Sequence, residues 1–391
     1  MTQKERYLKA LRCQNMEDTP LFLRFWRMEG ERTIPFAWAD QFARVAWATG
    51  RGITDTLLLQ PPLGYIEDYD ASQVHGITSC VTREQPPGGR YPVLLKQYHT
   101  PCGVLRHEVH VTDDWIYDGD VYLFSDFNVS RAVKHAVADM DDAQKLRFLL
   151  GAPPQAAVDA FRADAAHIRA EAARLGVAVD GGWVALGDAL IDLMGVERVH
   201  SAQYDEPELV DAVLDTLLAW ELGRVRAVLE EGADAIVYMA WYEGCDFWTP
   251  AHWREHLKPR VKQIIDLAHS FGKPFRYIIT KGFRPILGDL AEIGVDCLTG
   301  VDPLQDGACP AEIRKLAGPE LALMGGLNSS IMFGQWGAEA ITAATRDVLD
   351  KMRGDRGFIL FPVDAVFDGQ PWENVEAMIG AWQASVDKKR L

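Results

Sequence analysis

Two stretches of this chain concentrate side chains able to do chemistry. Trp241-Tyr242-Glu243-Gly244-Cys245-Asp246-Phe247-Trp248 sets three acid or metal-capable donors among aromatic rings. Arg24-Phe25-Trp26-Arg27-Met28-Glu29-Gly30 continues through Glu31 to Arg32 and brings guanidinium groups beside aromatic rings. Elsewhere Tyr277, Thr280 and Lys281 cluster, and Asp302, Asn328 and Asp364 each follow an apolar run. Glu243, Tyr277, Lys281 and Asp364 are the candidate general acids. Trp26 and Trp241 are suited to stacking on a substrate ring, with Tyr238, Arg27, Arg32 and Asn328 as further binding candidates. An aromatic wall with a few polar groups suits a compact, partly apolar ligand.

Each feature also has a plainer explanation. Trp26 and Trp241 could cap a core. Glu243, Cys245 and Asp246 carry metal-capable donors at close spacing, although loop carboxylates are usually solvated. His107-Glu108-Val109-His110 lacks the i, i+4 helical spacing of zinc proteases and lies in a strand-like stretch, where positions three apart face opposite sides. A lysine at a strand end, as Lys281 is, is costly unless paired or used.

The candidates need elements to hold them. After a polar helix over Gln3 to Arg12, apolar runs of strand length begin at Pro20, Ile53, Val177, Ala233, Phe275, Cys297, Leu321 and Phe358. Amphipathic helical stretches lie between many of them, such as Phe161 to Leu175, Pro207 to Glu231 and Pro250 to Phe271. Continuous apolar strands imply a parallel sheet covered on both faces. Eight of them predict a closed (β/α)8 TIM barrel of the α/β class, with a doubly wound open sheet as the alternative. No Gly-rich nucleotide fingerprint follows a strand. Residues 61–135 interrupt the pattern with Pro61-Pro62, Pro86-Pro87-Gly88-Gly89 and alternating stretches. They read as a hairpin and loop insertion after the second strand, over the C-terminal face where barrel chemistry sits. The whole of 1–391 is expected to form one domain.

Composition narrows the function classes. Of 391 residues, 48% are hydrophobic and 25% charged, as in a folded globular protein. The net charge of −16 opposes nucleic-acid binding and weighs against a large polyanionic substrate. No apolar run approaches a membrane span, and Met1 to Arg6 is not a signal-peptide core. The six cysteines form no CxxC pair and are expected to be reduced thiols of a cytoplasmic protein.

Several motifs resemble the uroporphyrinogen decarboxylase superfamily. They are Val228 to Val237, Trp248-Thr-Pro-Ala-His-Trp-Arg-Glu-His-Leu-Lys-Pro259, Gly272-Lys-Pro274 and Ile286 to Asp296. Met324-Gly-Gly-Leu-Asn328 and Gln370-Pro-Trp-Glu-Asn-Val375 extend the likeness over roughly residues 160–385, with Asp18-Thr19-Pro20 fitting the family's first strand. The resemblance implies the barrel fold and two possible chemistries. One is cofactor-free decarboxylation of a porphyrinogen, for which Arg27 and Arg32 would grip carboxylates and Asp55 would serve as the family aspartate. The histidine expected near Val363-Asp364 is absent. The other is methyl transfer with a corrinoid (cobalamin). The zinc-binding His-x-Cys-Gly of the thiol-activating members is replaced here by Ile279-Thr280-Lys281-Gly282, so zinc is a candidate without the ligands usual in that branch. Thr100-Pro101-Cys102-Gly103 resembles a segment of the methyltransferase-like branch. The expectation is therefore a methyltransferase taking methyl from a small aryl methyl ether-type donor to a corrinoid on a partner protein. A decarboxylase and a tetrapyrrole or corrinoid binder without turnover are the alternatives, and a homodimer is possible.

Overall fold

The computed structural model describes residues 1–26, 38–67, 69–367 and 369–387. Seven parallel strands lie side by side, each buried along its length: β2 (Thr56–Leu59), β3 (Ala178–Ala185), β4 (Ala235–Met239), β5 (Phe275–Ile278), β6 (Cys297–Val301), β7 (Ala322–Asn328) and β8 (Phe358–Val363). Residues 21–22, β1, close the ring: Leu21 bridges Leu360 of β8, and Phe22 bridges Thr54 just before β2. All eight expected strand positions are therefore occupied, and the sheet is a barrel rather than an open sheet.

Alternation along each strand divides the core in two. Ala178, Ala235, Cys297, Ala322, Met324, Ile359, Phe361 and Val363 turn into the bore with Phe22. Their neighbours, such as Leu57, Val179, Ile236, Leu298 and Leu323, turn outward against the helices. Helix Gln3–Leu11 plugs the N-terminal end of the bore with Tyr7, Ala10 and Leu11. It starts with a capping box, in which Thr2 and Glu5 satisfy each other's backbone N–H groups. Deep in the bore Asp180 of β3 accepts from Tyr7, Thr56 and Arg276 of β5, a buried ion pair at 2.8 Å.

Between β2 and β3 the chain builds an antiparallel four-stranded meander, Thr78–Glu84, Val93–Thr100, Gly103–His110 and Ala132–Lys134. It has a small core of Leu94, Val109 and Val121, and it packs on helix Met140–Leu149. The insertion touches the barrel mouth through Tyr65, Glu67 and the short helix Asp126–Val129. No helix of the described residues is long and apolar enough to cross a membrane.

Candidate functional site

At the C-terminal end of the bore, Arg24 follows β1 and points inward by the same alternation that buries Phe22. Its guanidinium carbon lies 4.4 Å from the centre of the Trp183 ring and 5.4 Å from that of Trp241. Asp364, just past β8, accepts from it at 3.2 Å. Burial pulls the Arg24 pKa down, and the Asp364 carboxylate opposes that. The two tryptophan rings meet edge to face, 6.2 Å apart. Trp183 reaches this position because β3 bulges between Gly182 and Val184, and its φ of 70° lies in the left-handed region. A bulge that re-aims a side chain at the cost of backbone strain is a common device at functional sites.

The wall under β3 and β4 is acidic. Helix Gly187–Met194 follows β3 and carries Asp188 and Asp192 one turn apart on one face. Asp188 accepts the backbone N–H groups of Trp241 and Tyr242 at 3.1 and 3.2 Å. Asp126 accepts from the Tyr242 hydroxyl, and Glu67 accepts from Trp183 Nε1 at 3.1 Å. Burial pushes the carboxyls of Asp188 and Asp192 well up, and the neighbouring acids push them further.

Glu243, Tyr238 and Tyr277 come together, but behind the barrel wall. Tyr238 and Tyr277 are paired in register on β4 and β5, and their rings stack at 5.3 Å on the outward face. Both hydroxyls donate to the Glu243 carboxyl, which also accepts from Gly187 N–H at 2.8 Å. Glu243 is wholly buried, and burial pushes its carboxyl up to about 7 against the pull of those three donors. A Cβ at Gly187 would stand 2.5 Å from Glu243 Cγ, so only glycine fits there. Glu243 and Asp188 thus tie the loop after β4 to the helix after β3 from both sides. None of this trio touches the bore.

The other sequence candidates are dispersed. Asp55 precedes β2 at the opposite end of the barrel and turns outward to an ion pair with Arg44 of helix Gln41–Gly50. Alternation dictates this, because its neighbour Thr56 turns inward to Asp180. Lys281 is more than half exposed and pairs with Asp246 at 3.0 Å. Asn328 is buried and fully engaged, donating to Asp302 and accepting from Ile331 N–H, so it braces two loops. Asp364 and Trp241 do stand at the mouth. Arg27 and Arg32, and the side chain of Trp26, lie outside the described residues.

The proposed metal donors do not converge. Glu243 faces the two tyrosines, Asp246 faces Lys281, and burial raises the Cys245 thiol away from the thiolate form. Among the described residues only Asp139, Asp141 and Asp142 bring three ligand atoms together, and Lys134 and Lys145 already neutralise two of these carboxylates. Among the described residues these donors do not fit a zinc site.

Asp188, Asp192, Trp183 and the Asp180–Arg276 pair escape a search confined to strand ends. The signal available for the pair was a charge inside an apolar strand. Asp188 and Asp192 lie in Gly187-Asp-Ala-Leu-Ile-Asp-Leu-Met194, whose charges repeat at helical spacing within an otherwise apolar helix.

The family model described as uroporphyrinogen decarboxylase (URO-D) matches residues 130–384. None of the curated proteins matches the chain. A solved methyltransferase from Methanosarcina mazei shares the fold, with a TM-score of 0.60 and 17% identity over 98% of this chain and 99% of that one. A B12-independent methionine synthase from a Shewanella species, in complex with selenomethionine, aligns over 95% of this chain and 96% of its own, at 8% identity and a TM-score of 0.49.

Proposed function

We propose that this chain, which belongs to the uroporphyrinogen decarboxylase (URO-D) family, is a methyltransferase that moves methyl from a small methyl ether-type donor to a corrinoid. The corrinoid is a substrate, delivered by a partner protein. The observation that carries this reading is the charge at the mouth. Asp188, Asp192, Asp126 and Glu67 line one side, and Arg24 with its counter-ion Asp364 occupies the other. Among the described residues a polycarboxylate porphyrinogen would find four carboxyl groups and a single guanidinium there, too few cations to answer its own charges. A compact donor would meet, among the same residues, two indole rings and that guanidinium.

In an ether the leaving oxygen carries away a negative charge and must be stabilised. Arg24 is placed to donate hydrogen bonds to that oxygen from a partly desolvated position, where such bonds are worth most. Asp364 holds the guanidinium between the tryptophans. Trp183 and Trp241 bind the donor's apolar face. Glu243 acts at one remove as a positioning residue, by fixing the loop that carries Trp241. Asp55, required by the decarboxylase reading, stands at the wrong end of the barrel to reach this site.

Chemically reduced cobalamin mixed with the protein and a panel of methoxyarenes tests the reading. Loss of the reduced-corrinoid absorption with growth of the methylated form, dependent on both protein and one donor, is the expected result. Release of carbon dioxide from uroporphyrinogen with no methyl transfer would overturn it in favour of a carboxy-lyase. Tight tetrapyrrole binding without either reaction would mark a carrier.

A further inference from the structure

Asp192 is unlike the other acids of the mouth. It is only 9% exposed, yet among the described residues its carboxylate has neither a hydrogen-bond donor nor a lysine or arginine partner. Its oxygens are not sealed orphans, so what exposure it keeps includes the carboxylate. A carboxyl buried without a partner keeps its charge only at a high cost, and burial accordingly raises the pKa of Asp192; a cation seated against it would supply the missing partner and restore the carboxylate. Asp188 lies one turn away on the same helical face, and Asp126 sits on the helix packed against it. Glu67 stands beside them, held by Trp183.

These carboxylates do not suit a metal ion. No three of them, among the described residues, bring oxygens close enough to share one. They are interleaved instead with aromatic rings: Trp183, which donates to Glu67, lies against Tyr65 at 6.1 Å, and Tyr242 gives its hydroxyl to Asp126 and its backbone N–H to Asp188. Carboxylates set apart among aromatic rings suit a larger and more diffuse cation, because a ring face attracts an organic ammonium without demanding a fixed coordination geometry. The pair Trp183 and Trp241 already accepts one cation, the Arg24 guanidinium.

We propose that the ligand of this mouth bears an ammonium group, seated against Asp192 and Asp188 on the side away from Arg24. This deepens the methyl-transfer reading and rests on it for the ligand's role as donor: one end of the donor carries the ammonium, and the other presents its ether oxygen to Arg24. Binding itself does not depend on transfer.

The test uses two probes of one shape, choline and its uncharged isostere 3,3-dimethylbutan-1-ol, titrated by calorimetry into the full chain without corrinoid. Choline is expected to bind at least about tenfold more tightly. Asp192→Asn should erase most of that preference while leaving the affinity for the neutral alcohol unchanged, which also shows that the variant is folded. Equal affinity for both probes, no choline binding to the native chain, or a preference that survives Asp192→Asn would each overturn the inference. A cation preference without methyl transfer from any donor would sink the transfer reading alone. Transfer from neutral ethers with no cation preference would sink this inference alone.

Discussion

Replacing Glu243 by glutamine should change how stability depends on pH more than stability at any one pH. The unfolded carboxyl ionises near 4.5, whereas burial between Tyr238, Tyr277 and Gly187 holds the folded one to about 7. Below 4.5 both states are protonated, and the contribution of the buried acid is complete. Between 4.5 and 7 the unfolded chain releases a proton that the folded chain keeps, so rising pH favours unfolding. Above about 7 both states are ionised, and the loss is constant. At about 1.4 kcal/mol per pH unit, the native protein loses about 3 kcal/mol over this window through Glu243 alone. Glutamine keeps the shape and an acceptor for a tyrosine hydroxyl but cannot ionise. Urea unfolding followed by tryptophan fluorescence, at pH 5 and pH 8, gives the drop for each protein. Subtracting the two drops cancels groups common to both, including Asp192, Glu221 and Asp302, whose carboxyls burial also raises. The native drop should exceed that of Glu243→Gln by about 3 kcal/mol. Parallel pH profiles would refute the reasoning, because they would mean that the carboxyl between the tyrosines ionises as readily as one in water.

Other parts of the molecule make separate demands. Arg276→Met strands Asp180 in the bore and should cost about 3–5 kcal/mol in urea unfolding, while adding Asp180→Asn should recover part of the loss. Gly187→Ala drives a methyl group into Glu243 and should cost about 1–3 kcal/mol, read as a lowered midpoint at unchanged m-value. His107 is sealed with both ring nitrogens unpartnered, and burial pushes its pKa down to about 3. The unfolded imidazole gains a proton below about 6.5 that the folded one refuses, so stability falls as the pH drops from there towards 3. His107→Leu should flatten that acid limb by about 3 kcal/mol in unfolding measured between pH 7 and pH 4.

Much of the scaffold is written in the chain's local pattern. Strands such as Ala233 to Ala240 are short apolar runs closed by turn residues, and nothing but a covered parallel sheet buries eight of them. Arg24, Trp241 and Asp364 are equally local, since strand ends in a barrel all open on one face, whereas the acids of the mouth come from a helix and the insertion. Which candidates share a site is not local. A strand's alternation is visible in sequence, but its phase relative to the bore is not when both faces are apolar. Tyr238, Tyr277 and Asp55 were therefore readable as strand residues but not as outward-facing ones. Arg24 reaches the mouth only because Phe22 is fixed inward by its bridge to Thr54 beside it. Trp183 gets there through a bulge no periodicity announces. Asp192 lies on a helix, outside the strand ends, and has meaning only through Asp188, Asp126 and Glu67, brought to it from elements far apart in the chain. Sequence determined the fold because burial of apolar runs is a property of segments. Tertiary structure decided the site because a pocket is a property of side chains converging from many segments, and the phase of each is set by packing against the others.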